Sequence, residues 1–171
     1  MQSEVRRALQ VPLSTVFLEA AMAMQGQYGQ VVAEAEIRRW AAQWARGYSN
    51  ALSDSIVETT RDIIGRLKKI SPGDQALALA AIVAGMSARA ENVGITETTR
   101  AISVGESWIS ERWRLAGKGL LTPVWYTELD ARVCEVCAPL HGAGSEVFDR
   151  VSIGGPPAHP RCRCWLVWEE G

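Results

Sequence analysis

Both histidines and all four cysteines of the 171-residue chain lie between Cys134 and Cys164, in two short runs, CEVCAPLHG and HPRCRC. Between these runs, from Ala138 to Pro160, the chain is rich in glycine and proline. A segment of about fifty residues with that composition buries too little apolar surface to hold a fold by hydrophobic contact alone, and units of this size rely on a staple. The thiols and imidazoles stand where the staple belongs.

Upstream, the pattern is helical. Apolar residues recur at helical spacing from Glu34 to Ile70 (Ile37, Trp40, Trp44, Tyr48, Leu52, Ile56, Ile63, Leu67, Ile70), which predicts one long amphipathic helix or two broken near Gly47 or Ser53. Ser71-Pro72-Gly73 ends it, and Asp74 can cap a second, more apolar helix through Ala90. Asn92-Val93-Gly94 reads as a break, after which Thr96 can cap a third helix with Ile102, Ile109, Trp113 and Leu120 inward and its end at Gly117 or Gly119. An earlier helix is expected from Leu13 to about Gln27. The run Ala76 to Met86, ALALAAIVAGM, is eleven residues, about half of the ~20 a bilayer span needs, and reads as a buried helix. Past Pro123, Trp125 to Thr127 and Trp165 to Trp168 read as short strands. The expected fold class is mainly α: a helical body over residues 1–120, then a small α+β/loop module over 121–171 stapled by a Cys/His metal site.

The net charge is −1. Before Leu120 there are 14 basic and 12 acidic residues, and from there on 4 and 7. Neither part offers the cationic field of a dedicated nucleic-acid binder, so contact with nucleic acid has no support from charge. Arg6 and Arg7 precede an apolar stretch as in a signal peptide, but Glu4 and Glu19 interrupt the pattern. A cytosolic origin is expected, and with it reduced thiols, which favour metal binding over disulfides.

Cys134-x2-Cys137 is a knuckle: two intervening residues let both sulfurs reach one ion while turn N–H groups point at them. His159-x2-Cys162 and Cys162-x-Cys164 supply the other half. Tetrahedral zinc takes four such ligands, so Cys134, Cys137, His159 and Cys162 close a site, and Cys164 can stand in for His159. Two disulfides, or four unlinked thiols, are the alternative. Four protein ligands leave no open coordination position, which makes the expected zinc structural. His141, four residues after Cys137, is open to three roles: spare ligand, general acid or base, or loop histidine. A catalytic version needs Glu97 or Asp130 as base and gives the alternative function, a metal-dependent hydrolase, nuclease or toxin-like domain. The zinc deaminase pattern and a C2H2 finger are both excluded, because the chain has no His-x-Glu with Pro-Cys-x-x-Cys and no pair of closely spaced histidines.

TELDARVCEVCAPLHG followed by PPAHPRCRC resembles the C-terminal motif block of phage Mu F-like minor head proteins, the phage head morphogenesis proteins. The matching positions are Thr96, Glu97 and Thr98, then Trp125, Asp130, Arg132, Cys134, Cys137, Leu140, His141 and Gly142, then Pro156, Pro157, His159, Pro160, Cys162, Arg163 and Cys164. Ile95 stands where that family usually has arginine. The resemblance implies a low-copy component of the virion or procapsid interior, present in the host cytoplasm during assembly. Its implied partners are the portal or major capsid protein, and its implied work is head assembly, DNA packaging or ejection. From the residues themselves, the long amphipathic helices with Trp40, Trp44, Trp108 and Trp113 allow self-association, and no membrane contact is expected. Asp130 and Arg132 are expected to hold the knuckle's turn or bind an anion, and Arg163 to pair with Asp130 or Glu97.

Overall fold

The computed structural model describes residues 2–171. Three long helices come first: α1 (Gln2–Tyr28), α2 (Glu34–Leu67) and α3 (Pro72–Leu115). Then follow β1 (Leu121–Tyr126), a 3-10 turn (Ala138–Leu140), β2 (Ala143–Gly144), a one-turn helix α4 (Ser145–Phe148) and β3 (Trp165–Glu170). The strands form an antiparallel sheet in the order β2-β1-β3, with Trp125 opposite Leu166 on one side and Ala143 on the other. The fold is mainly α with a small sheet, as the sequence pattern predicts.

α2 is unbroken over 34 residues, about 51 Å at ~1.5 Å per residue. Its buried line is Ile37, Ala41, Ala45, Ser49, Ser53 and Val57. Every step is four residues, and the small side chains let α1 lie close. Of the large residues picked out by spacing only Ile37 lies on this line; the others flank it, and Trp40 and Ile70 are exposed. Ser53 Oγ donates to the Gln2 carbonyl, so the buried hydroxyl ties the start of α1 to α2. At the other end of α1 the buried Gln25 closes the turn into α2, its Oε1 accepting from the Val31 and Val32 N–H groups.

α3 corrects several expectations: the break, the caps at Asp74 and Thr96, the buried apolar run and the inward Leu120. It runs without a break through Asn92-Val93-Gly94, because the loop carrying the second cysteine pair packs along that stretch and a helical glycine costs only about 1 kcal/mol. Ser71 caps its start by accepting from the Asp74 N–H, and Thr96, placed mid-helix, donates to the Asn92 carbonyl instead of capping. The apolar run Ala76 to Met86 is not buried: Leu77, Leu79, Val83 and Met86 are all exposed. On the third-helix face, Ile109 and Trp113 are buried as expected, whereas Leu120 lies past the helix and is exposed while Leu121 fills the core.

One continuous core joins helices and sheet, built on Phe17, Ile37, Ile109, Trp113, Leu121, Trp125, Phe148 and Leu166 and reaching Cys137, Cys162 and Cys164. α1 and α3 touch backbone to backbone at Gly105, where a Cβ would sit 2.7 Å from the Phe17 carbonyl oxygen. A row of aromatic rings tilted against one another (Trp44, Phe17, Trp108, Trp40) fills the space beside that contact.

Candidate metal centre

The two cysteine runs meet between the sheet and the middle of α3. After β1 the chain passes through Asp130, whose carboxylate accepts from the Arg132 N–H at 2.9 Å and the Arg132 side chain at 3.3 Å. This turn delivers the knuckle. Within it the Cys137 N–H donates to the Cys134 sulfur at 3.4 Å, so the backbone itself offsets thiolate charge. The 3-10 turn then carries the chain to Gly142, which takes a left-handed conformation (φ +79°) and donates its N–H to the Trp125 carbonyl at 2.7 Å. Leu140 is buried at the base of this turn.

His159 brings Nε2 to 3.0 Å from Cys134 Sγ and 3.1 Å from Cys137 Sγ. Its Nδ1 lies 2.8 Å from the Pro160 carbonyl, which can only accept. That fixes the proton on Nδ1 and turns Nε2 to the sulfurs, the arrangement a metal-binding imidazole needs. Cys137 Sγ is also 3.8 Å from Cys162 Sγ. A tetrahedral site with ~2.3 Å bonds to sulfur has edges of about 3.8 Å, so this pair is set at the spacing of two thiolates on one ion. Cys134, Cys137 and His159 form one close set of donor atoms, Cys137, Cys162 and Cys164 another, and Cys137 belongs to both. All four cysteines are free thiols. The cluster can bind a metal ion.

Its electrostatics call for a cation. The hydrogen bond from Cys164 pulls the Cys162 thiol down to about 5 against the effect of burial. Burial, then the neighbouring Cys162 charge, pushes Cys137 up to about 12. Cys164 is raised far above the ordinary thiol range by donating to Cys162 and by burial. Burial also works against a charged His159, but the Pro160 carbonyl and the Cys162 and Cys134 sulfurs outweigh it and raise its pKa. Cys134 is lowered as well, burial being outweighed by hydrogen bonds from the Cys137 N–H and its other neighbours. Two of the four thiols are thus drawn toward thiolate while Cys137 and Cys164 hold their protons, and a divalent ion would supply the positive charge that set lacks. The cavity at the cluster, bordered by Glu128, Arg132 and Arg161, measures about 30 Å³, room for an ion or one water and far below the ~300 Å³ of a small-molecule pocket.

α3 grips this loop directly. Thr96 Oγ1 accepts the Arg161 N–H at 2.9 Å and so fastens a residue held at φ +62°. One turn on, Thr99 Oγ1 donates to the Cys162 carbonyl at 3.0 Å. Glu91 on the same helix pairs with the Arg161 guanidinium at 3.2 Å. Arg163, between the two cysteines, reaches Asp130 at 2.7 Å, which ties the second run to the turn before the first. That hydrogen bond, ahead of those from Arg132, holds the Asp130 carboxyl down at about 2. Of the two partners expected for Arg163, the structure selects Asp130.

His141 and Glu97 lie outside both sets of metal-ligand candidates. His141 Nδ1 accepts the Thr127 N–H at 3.2 Å, and its ring stands edge-on to Tyr126. Glu97 turns to Arg100 at 3.4 Å and to Tyr48, which is raised to about 12 by burial first and then by the hydrogen bond to Glu97. Thr98 points to solvent. Each residue that a hydrolytic centre would recruit is engaged with a structural partner. Thr99 and Glu91 were missed by sequence reasoning; the only signal for Thr99 was its i+3 spacing from Thr96, and Glu91 had none.

This geometry meets its counterpart in one comparison. Residues 49–167 match the family model of the Phage Mu protein F like protein. The chain belongs to the phage Mu F-like family. The matched span begins inside α2, includes α3, β1, β2 and the whole Cys/His cluster, and ends inside β3. Membership in the Mu F-like family points to phage head morphogenesis and to a place in the virion or procapsid. No curated protein and no solved structure matches the chain.

Proposed function

We propose that this Mu F-like protein is a minor head component that works at the portal vertex, in contact with the portal or major capsid protein, and supports DNA packaging or ejection. Its C-terminal module is locked by one structural zinc ion on Cys134, Cys137, His159 and Cys162. Cys164 hydrogen-bonds to the Cys162 sulfur and is the reserve ligand. The observation that carries this reading is the clamp: Thr96 and Thr99 on α3 hold the backbone of the very loop that presents His159 and Cys162. A metal there joins the knuckle, the loop and the long helix into one rigid piece.

The donor set supports zinc in particular. Three thiolates and an imidazole, with the hydrogen bonds from the Cys137 N–H and to the Pro160 carbonyl that orient them, suit a borderline-soft, redox-inert ion, and a full set of protein ligands leaves no position for substrate. Two measurements test the proposal. Elemental analysis of freshly purified, reduced chain gives one zinc per chain, lost together with the module's tertiary near-UV signal on chelation; metal-free chain with an intact module overturns the zinc assignment. Immunodetection across gradient-purified procapsids and mature heads finds the chain in portal-containing particles, and its absence from all particles overturns the head-protein reading.

A further inference from the structure

The Cys/His cluster offers five donors where one zinc ion takes four, and their spacing does not single out a quartet. Cys134 Sγ, Cys137 Sγ and His159 Nε2 lie within 4.8 Å of one another, as do the sulfurs of Cys137, Cys162 and Cys164, but no four of the five are mutually that close. Cys137 joins the two trios, its sulfur 3.1 Å from His159 Nε2 on one side and 3.8 Å from Cys162 Sγ on the other. A zinc ion with ~2.3 Å bonds to sulfur has to draw Cys162 across to the first trio. An ion satisfied by three donors leaves both trios where they stand.

The surroundings select that ion. Four sulfurs among five donors favour soft metals, of which zinc and monovalent copper are the common ones. Zinc in each trio would need a fourth ligand, and with the protein donors used up that ligand is water. Cys137, Cys162 and Cys164 are only 2, 1 and 7% exposed, and the cavity that touches both trios, through Cys134, Cys137, His159 and Cys164, measures about 30 Å³. That is room for about one water, not for two hydrated ions. Monovalent copper, with a closed shell, is stable with three ligands in a plane and needs no water. Charge permits a pair of such ions. Together they carry the charge of one zinc ion, and the one further change is loss of the Cys164 proton. Arg161 and Arg163, already paired with Glu91 and Asp130, border the same cavity.

We propose that the cluster is also a binuclear site for monovalent copper. One ion sits on Cys134, Cys137 and His159, the other on Cys137, Cys162 and Cys164, and the Cys137 thiolate bridges them. The proposal rests on the metal-binding reading of the cluster and adds a second loading state, two copper ions in place of one zinc ion. Cys164, held in reserve in the zinc state, is an obligatory ligand in the copper state.

The full chain, reduced and kept free of oxygen, is titrated with monovalent copper in the presence of bicinchoninate, which strips loosely held copper, and is then weighed by native mass spectrometry. Wild type takes two copper ions and releases its zinc. Cys164→Ser takes one copper ion and, before titration, carries one zinc ion, which shows that the variant is folded; Cys134→Ser also takes one copper ion. X-ray absorption at the copper edge shows a copper–copper vector in the wild type that both variants lack. A wild type that stops at one copper ion, a Cys164→Ser variant that still takes two, or a two-copper form without that vector overturns the proposal. None of these results touches the zinc assignment, which stands on the metal content of the untreated chain. A chain that carries no zinc yet takes two bridged copper ions overturns that assignment alone.

Discussion

Glu106 lies on α3 where the helix meets the sheet, and its carboxylate accepts the Trp168 indole N–H at 3.2 Å. On the other side of Trp168 the Tyr28 hydroxyl donates to the Trp168 carbonyl. No cation is among the groups that set the Glu106 pKa; burial raises it from the usual 4.5 to about 7, against the lowering effect of the indole hydrogen bond. A carboxyl raised in this way binds its proton more tightly folded than unfolded. The stability it contributes is therefore complete below pH 4.5 and is lost as pH rises through 7. At about 1.4 kcal/mol per tenfold change, the full loss is about 3 kcal/mol, of which about 2 kcal/mol falls between pH 5.5 and 8.5.

Glu106→Gln keeps an oxygen to accept the indole N–H and removes the charge. Urea unfolding followed by tryptophan fluorescence, with zinc held constant, compares the variant with wild type across that pH range. The variant's advantage grows by about 2 kcal/mol from pH 5.5 to pH 8.5. Taking the difference at each pH cancels the titration of the cysteines and His159, which both proteins share. A difference that stays flat with pH would show that Glu106 carries no buried charge and would refute the reasoning.

Gly105→Ala drives a Cβ to 2.7 Å from the Phe17 carbonyl oxygen; overpacking against backbone outweighs the helix-propensity gain, and thermal unfolding shows a loss of about 1–3 kcal/mol. Gly94→Ala in the same helix meets open space and gives a gain of about 1 kcal/mol in the same measurement, so equal effects at the two sites would deny the close α1–α3 crossing. Thr99→Val removes the hydroxyl that holds the Cys162 carbonyl at near-constant volume; zinc competition against a chromophoric chelator shows about tenfold weaker retention, and unchanged retention would mean the loop is set by its ligands alone.

The long helices were legible because 3.6-residue periodicity survives whatever packs on it. What covers each face was not. On α2 the spacing picked the large residues, yet the interface with α1 runs along Ala41, Ala45, Ser49 and Ser53, since closeness of approach selects small side chains and composition gives them no weight. On α3 the Asn92-Val93-Gly94 signal is local, whereas the loop that overrides it comes from more than sixty residues away through Thr96 and Thr99. The exposed run Ala76 to Met86 was read as core because hydropathy reports a need for cover without saying which molecule provides it. That the cysteines and His159 come together was legible, since knuckle spacing is itself a geometric constraint, but their division into two three-donor sets sharing Cys137 was not. Glu106 was not, because nothing in the sequence marks a glutamate that will face a tryptophan 62 residues on.

An uninterrupted α3 has a consequence for assembly. Val83 and Thr99 lie sixteen residues apart on one helix, so the exposed end of α3 and the loop of the Cys/His cluster are held about 24 Å apart at a fixed angular phase. The helix is at once a spacer and a protractor. One residue inserted near Gly94 would turn the face of Val83 by about 100° relative to Thr96 and Thr99, and because α2 is held against α1 the join between α2 and α3 would have to give, whereas seven residues, two turns, would nearly restore its heading. In a shell built to a repeating geometry, that angle is as much a property of the protein as its core.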